Sequence, residues 1–322
     1  MRNKKIQLTY LLCVVSFLAC TKPIEITEAS IEPEHKGCVI VVPDIQYYTN
    51  NEATFKYLDA IVSFCTEAKS DISFLLQTGD VTNNNAPEQW NNGYNLFFSR
   101  LPRSYPVVFC LGNHDYGENG GSAKRESAFP LELTPVRDIV MPDSKWDNYM
   151  RYVTLGDDQW AVLSLEFAPR NEVLEWADEL IKAKADIPFI ILTHAFLNNS
   201  GQMFDALDPS CDNTWTQKQY RMGNDYINDS KEIFDKIIFN NPNVRMVVCG
   251  HCISKNYIEC LEKKNIKNES VYCIMVNFQH YKEGGAGNIG MIYYNNGRCH
   301  LKSFNTVSRT NGEIDIPFDL VF

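Results

Sequence analysis

The sequence has no surplus of positive charge: 30 Lys and Arg stand against 40 Asp and Glu, a formal net charge of −10. That removes the general electrostatic footprint on which nucleic-acid and anionic-lipid binding rest. Neither a basic stripe nor an aromatic platform compensates, so no nucleic-acid recognition is expected. From Cys38 onward no repeat with a period of roughly 20 to 50 residues appears, which excludes solenoids and propellers, and no low-complexity tract or Gly/Ser/Pro-rich linker divides the chain. A second C-x-x-C is missing as well, so Cys249 and Cys252 lack the partner pair of a zinc site and any thioredoxin-like context. Eleven cysteines in a chain of 322 residues, long enough to bury a sizeable core, are read as core packing at Cys65, Cys110, Cys249 and Cys273. With 44% hydrophobic and 22% charged residues, what remains is an ordinary globular chain.

The first twenty residues carry a basic start (Arg2, Lys4, Lys5), an apolar stretch from Ile6 to Ala19 and then Cys20, the layout of a secretory signal. At about 1.5 Å per residue the stretch reaches only about 20 Å, short of the roughly 30 Å hydrocarbon layer, so a membrane span is the weaker reading. Phe17-Leu18-Ala19-Cys20 resembles a bacterial lipobox, with Phe17 where such boxes usually have Leu. This implies lipidation at Cys20, export to the cell envelope and membrane attachment through the lipid; a simple secretory signal is the alternative. Residues 21–37, with Pro23, Pro33 and scattered Glu, read as a polar tether, and 38–322 as one domain.

Short β-branched and aliphatic runs recur at Val39–Val42, Ile72–Leu76, Pro106–Leu111, Pro188–Leu192 and Val244–Val248. Such runs suit strands buried on both faces. Helical spacing separates them at Phe55–Cys65, at Val173–Ile181 behind an expected Asn171 cap, and after Ser230. The alternation implies an α/β fold. Arg151–Glu166, Val271–Phe278 and a hairpin turning at Asn295-Asn296-Gly297 supply enough further strands for a second sheet.

Each of the five runs ends in a metal-type donor: Asp44 with Gln46; Asp80, after Gly79 and before Asn83; Asn113, His114 and Asp115 after Gly112; His194; and His251 after Gly250. Parallel strands gather ligands at their carboxyl ends, which predicts that all five meet at one edge. Asp44 and Gln46, two apart in an extended segment, are expected on the same side. Oxygen and imidazole donors without cysteine suit Mn, Zn or Fe rather than a closed structural zinc.

In order, these blocks resemble those of the calcineurin-like metallophosphoesterases: D-x-H, G-D, G-N-H-[DE], a lone His and G-H-x-H. The resemblance covers Val39 to about Asn305 and implies a layered α-β-β-α sandwich of two mixed sheets flanked by helices. It implies two divalent metals, one held by Asp44, Gln46 and Asp80, the other by Asp80, Asn113, His194 and His251, with Asp80 as the bridge. It further implies hydrolysis of a small phosphomonoester or phosphodiester through a metal-activated hydroxide, with His114 protonating the leaving oxygen and Asp115 fixing its tautomer. Gln46 stands where the family usually has His, and Ile253 where G-H-x-H has its second His. Three readings stay open: a weak first metal, a replacement ligand such as His280 or Gln279, or a site that binds without catalysis. Gln46 in that place, the stretch Leu165–Arg170 and Asn277-Phe278-Gln279 resemble a bacterial branch of the superfamily.

Arg170 is a candidate for steadying a phosphate oxygen, and Asn83 for a hydrogen bond in the site or a turn cap. Gly285–Gly290 matches G-x-G-x-x-G, but a strand rather than a helix is expected to follow, so a nucleotide cradle is not. Tyr116–Asn148 and Phe196–Asn228, with Trp146 and Trp215, read as long loops that decide the substrate. A catalytically degenerate envelope binding protein on the same fold is the competing reading.

Overall fold

The computed structural model describes residues 35–117, 124–130, 136–142, 144, 147–224 and 226–320; the leader 1–20 with Cys20, the segment 21–34 and Trp146 lie outside them. The first strand, β1 (Gly37–Val42), is apolar at nearly every position and buried along its whole length, so it needs cover on both faces. β7 (Phe189–Leu192) and β8 (Val244–Cys249) are likewise buried throughout, and β2 (Ile72–Gln77) and β3 (Val107–Phe109) at all but one position each, while β4 (Ile139–Val140), β5 (Tyr149–Leu155), β6 (Asp158–Ser164), β9 (Ile258–Lys264), β10 (Ser270–Val276), β11 (Asn288–Asn295), β12 (Arg298–Asn305) and β13 (Thr310–Asp319) complete the strands. They form a six-stranded sheet in the order β13-β12-β11-β1-β2-β3 and a seven-stranded sheet in the order β4-β5-β6-β7-β8-β10-β9. Both are mixed: β1, β2 and β3 run parallel, as do β6, β7, β8 and β10, with antiparallel strands at the flanks.

The two sheets bury one continuous core between them. Val39, Val41, Phe74 and Leu76 of the first sheet pack with Val162, Ile190, Leu192 and Val248 of the second. The outer face of the second sheet, with Leu163, Ile191 and Val247, is covered by helix α4 (Asn171–Lys182) and by α5 (Ser230–Ile233) with its π-turn Phe234–Ile238, through Val173, Leu174, Ile181 and Ile237. On the first sheet, α2 (Phe55–Glu67) follows the short α1 (Gln46–Asn50) and sets Phe64 against Phe304 of β12, ring centroids 4.6 Å apart. This is the layered sandwich that the blocks imply. Among the described residues the nine cysteines are free, and Cys249 and Cys252 are both buried, as core packing requires.

Three local expectations change. Arg151–Glu166 is not one strand but the hairpin β5–β6, because Gly156 at φ +63 reverses the chain. Asn171 is the first residue of α4 rather than its cap, and its Oδ1 accepts from Asn228 and Lys236. Gln46 opens α1 and so is not in an extended segment. The Asn-Gly hairpin forms as expected, with Asn296 at φ +50 and Gly297 at φ +85 between β11 and β12. Gly285–Gly290 runs into β11, so no helix stands where a nucleotide cradle would need one.

Candidate metal centre

Because β1, β2 and β3 are parallel in one sheet, and β7 and β8 in the other, the segments after these strands emerge at one end of the sandwich. Asp44, Asp80 and His194 are all buried there, with one donor atom of each within 4.8 Å of the others. Two glycines make the approach possible. A Cβ at Gly112 would stand 2.0 Å from Asp80 Oδ1, and one at Gly250 would stand 2.4 Å from Asp44 Oδ1. Asp80 and His251 themselves sit in left-handed backbone, at φ +51 and +64. Backbone of this kind costs on the order of 1–3 kcal/mol per residue and persists where the surroundings over-determine it.

The imidazoles are oriented by backbone carbonyls. His194 sets Nδ1 on the Thr78 carbonyl at 2.7 Å, which leaves Nε2 facing Asp80 Oδ2 at 3.3 Å, Asn113 Oδ1 at 3.1 Å and His251 Nδ1 at 3.2 Å. His251 sets Nε2 on the Trp215 carbonyl at 2.9 Å, freeing Nδ1 for that same cluster. His114 sets Nδ1 on the Asn83 carbonyl at 2.7 Å, while its backbone N–H donates to Asp80 Oδ1 at 2.9 Å. Asn277, a residue with no assigned role in the sequence reading, donates from Nδ2 to Asp44 Oδ2 at 2.8 Å and to the His251 carbonyl at 3.1 Å.

Two expected roles move. Asp115 does not hold the His114 ring: its carboxylate accepts from the backbone N–H groups of Val81, Thr82 and Gly112 and from the Thr82 hydroxyl, tying the segment after β2 to that after β3. The tautomer of His114 is set instead by the Asn83 carbonyl, so Asn83 contributes through its backbone. The Arg170 fork is taken by the carboxylates of Glu166, at 3.0 and 3.3 Å, and Glu172, at 2.8 Å, rather than lining the cleft. Glu166 is wholly buried and also meets Arg125 at 3.1 Å and Asn148 at 3.0 Å. Glu166→Ala is expected to destabilise the fold by about 3–5 kcal/mol, since it removes the fully buried carboxylate that Arg125 and Arg170 share. A urea midpoint unchanged from wild type would contradict that.

Charge crowding marks the same place. Burial lifts the Asp44 carboxyl, His194 pulls against it and Asp80 adds to the rise, to about 7. Burial would lower His194, but Asp80 and Asp44 outweigh it and hold the imidazole at about 9. Burial and the His194 charge push His251 down to about 3. Burial pushes Asp80 up, but His194 and His114 overcome it and bring it to about 2.

A profile of the calcineurin-like phosphoesterase family matches residues 39–252. The chain belongs to the calcineurin-like phosphoesterase family. It is similar, at 21% identity over 249 residues, to the uncharacterized protein YvnB of Bacillus subtilis, an alignment that covers 73% of this chain and 17% of that protein. The chain thus spans less than a fifth of the length of that relative. Among solved structures it is similar to purple acid phosphatase PPD1 from yellow lupin seeds, with a TM-score of 0.53, 12% identity, and coverage of 88% of this chain and 53% of that one. It is also similar to a dimetal phosphatase from Danio rerio, with a TM-score of 0.51, 11% identity, and coverage of 89% and 100%. Both likenesses show the fold.

Calcineurin-like phosphoesterases use divalent metals, and the buried Asp44, Asp80 and His194 are compatible with one. Ligands sharing a tetrahedral cation at about 2.0–2.1 Å lie roughly 3.3–3.4 Å apart. The 3.1–3.3 Å separations around His194 Nε2 come close to that spacing. Gln46 adds a second sign: its Oε1 is buried and has no hydrogen-bond partner among the described residues. Ligation requires His194 and Asp44 to be deprotonated, so protons compete with the cation. Affinity for Mn or Zn is therefore expected to fall by about one decade per pH unit from 9 to 7, where His194 titrates, and about two per unit below 7, where Asp44 joins. A competition titration with a chromogenic chelator checks this; a flat profile from pH 9 to 6 would contradict it.

Proposed function

We propose that the protein is a metal-dependent hydrolase of a small phosphomonoester or phosphodiester, with Asp44, Gln46 and Asp80 holding one divalent ion and Asp80, Asn113, His194 and His251 the other. The observation that carries this reading is the convergence on His194 Nε2 of an acid, an amide and an imidazole at 3.1–3.3 Å. Divalent ions at these residues, Mn, Zn or Fe by donor type, would supply Lewis acidity and lower the pKa of water. The chain's own groups do the rest. Thr78 and Trp215 hold the two ligating imidazoles in the useful tautomer through their carbonyls. Asn277 keeps Asp44 turned towards His251. His114 lines the cleft with its Nδ1 engaged by Asn83, so Nε2 is left to carry a proton to the leaving oxygen.

Ile253 also lines this cleft, together with Gln279 and His280. That supports His280 or Gln279 as a replacement for the family's missing histidine, and it keeps a degenerate envelope binding protein as the second reading. Export with a lipid anchor at Cys20 remains part of the proposal, on the sequence of the leader alone. Hydrolysis of chromogenic mono- and diesters, assayed with Mn, Zn and Fe beside metal analysis, separates the two readings. Turnover supports the hydrolase; one bound ion and no turnover of either ester under any metal supports the binding protein.

A further inference from the structure

Besides the acid, amide and imidazole groups described above, Trp215, Tyr220 and Ile253 line the cleft. Trp215 is held there against its own backbone preference, at φ +65, where a bulky side chain rarely sits. Its carbonyl is fixed by His251 Nε2 at 2.9 Å and its N–H by Gln219 Oε1 at 3.2 Å, yet the residue is 40% exposed. A large ring that is strained at its root and half in water adds little to the core, and strain of this kind collects at ligand clamps.

Tyr220 and Ile253 add apolar surface to the same lining. Ile253 puts an aliphatic side chain where G-H-x-H would put a ligand, with its N–H donated to Asn199 Oδ1 at 3.1 Å. Tyr220 packs edge-on against Phe167 at 4.9 Å, and Phe167 in turn lies 5.8 Å from the His194 ring and 5.7 Å from that of His251. The cleft holds about 210 Å³. That is below the roughly 300–1,000 Å³ usual for small-ligand pockets, enough for a phosphoryl group and little more. A larger substituent must therefore lie at the mouth, against the exposed face of Trp215. An aliphatic ester gains little there, whereas a planar ring gains a stacking partner.

We propose that Trp215, aided by Ile253, is a platform that selects phosphate esters whose leaving group is a planar aromatic ring. This inference rests on the phosphoesterase reading of the same site. The test uses the full chain as wild type, Trp215→Gly and Trp215→Phe. Glycine accepts the left-handed backbone and keeps the carbonyl that holds His251, so it removes the ring alone.

Two ratios are read: kcat/KM for phenyl phosphate over ethyl phosphate, and calorimetric affinity for phenylphosphonate over methylphosphonate. A ratio cancels any loss common to both members. Both are expected to fall about 5- to 50-fold in Trp215→Gly, and to stay within about 3-fold of wild type in Trp215→Phe. Unchanged ratios in Trp215→Gly, in an active wild type, would overturn the platform and leave the hydrolase reading standing. A wild type that turns over neither ester and binds neither phosphonate would overturn both.

Discussion

Asp80→Asn is expected to lower turnover of any phosphate ester by at least about 10³-fold and to strip the protein of most of its bound metal. Asp80 is the residue on which the cluster depends from both sides. One oxygen lies 3.3 Å from His194 Nε2, and the other accepts the backbone N–H of His114 at 2.9 Å. Loss of a ligand charge removes several kcal/mol of stabilisation, at about 1.36 kcal/mol per decade of rate. Asparagine is the informative replacement because it tolerates the left-handed backbone that Asp80 adopts at φ +51. The chain should therefore stay folded, and the loss should be one of chemistry.

The same variant has a thermal signature. An ion that binds only the folded chain stabilises it by about 2.7 kcal/mol at a hundredfold excess over Kd, which for a domain of this size is a Tm rise on the order of 4–5 °C. Wild type should show that rise with Mn or Zn, and Asp80→Asn should lose most of it. Equal rises in both proteins would place the ion elsewhere.

His114→Ala should behave differently, and the contrast is what identifies its role. No ligating contact of the cluster uses its ring: Nδ1 is spent on the Asn83 carbonyl, and the group given to Asp80 is its backbone N–H, which alanine also has. Metal content and the thermal response are expected to match wild type while kcat falls by about 10²–10⁴, the range for loss of a general acid. Esters with good leaving groups need less help from an acid and should lose least. Wild-type kcat in this variant would remove His114 from the chemistry, and loss of metal would make it a structural support of Asp80.

How much of this could be read from the sequence depends on what carries each contact. Asp44, Asp80, Asn113, His194 and His251 were legible because each follows an apolar run, and parallel strands deliver such residues to one edge. Asn277 was not: it reaches Asp44 across 233 residues, and only the pairing of β10 beside β8 makes them neighbours. The carbonyls of Thr78, Asn83 and Trp215 could not be found from residue type, since every residue has one. Asp115 misled for a geometric reason. It adjoins His114 in the 3₁₀ turn Asn113–Asp115, and consecutive side chains on a helical turn do not face each other. In the fold, α3 (Pro87–Leu96) was hidden by its polar composition, Glu, Gln and Asn filling half of its positions. β13 was passed over although Ile314, Ile316 and Phe318 alternate and pack on the core, because its first four residues are polar or glycine and exposed and Pro317 interrupts the pattern.

The claim on which the rest stands is that a cation binds at His194 Nε2. Anomalous diffraction from crystals grown with Mn or Zn tests it most directly. The expected result is a peak within about 2.3 Å of His194 Nε2 that is shared with Asp80 Oδ2, Asn113 Oδ1 and His251 Nδ1. Ordered density for all four side chains with no anomalous peak among them, at a metal concentration that saturates the protein in solution, would contradict it.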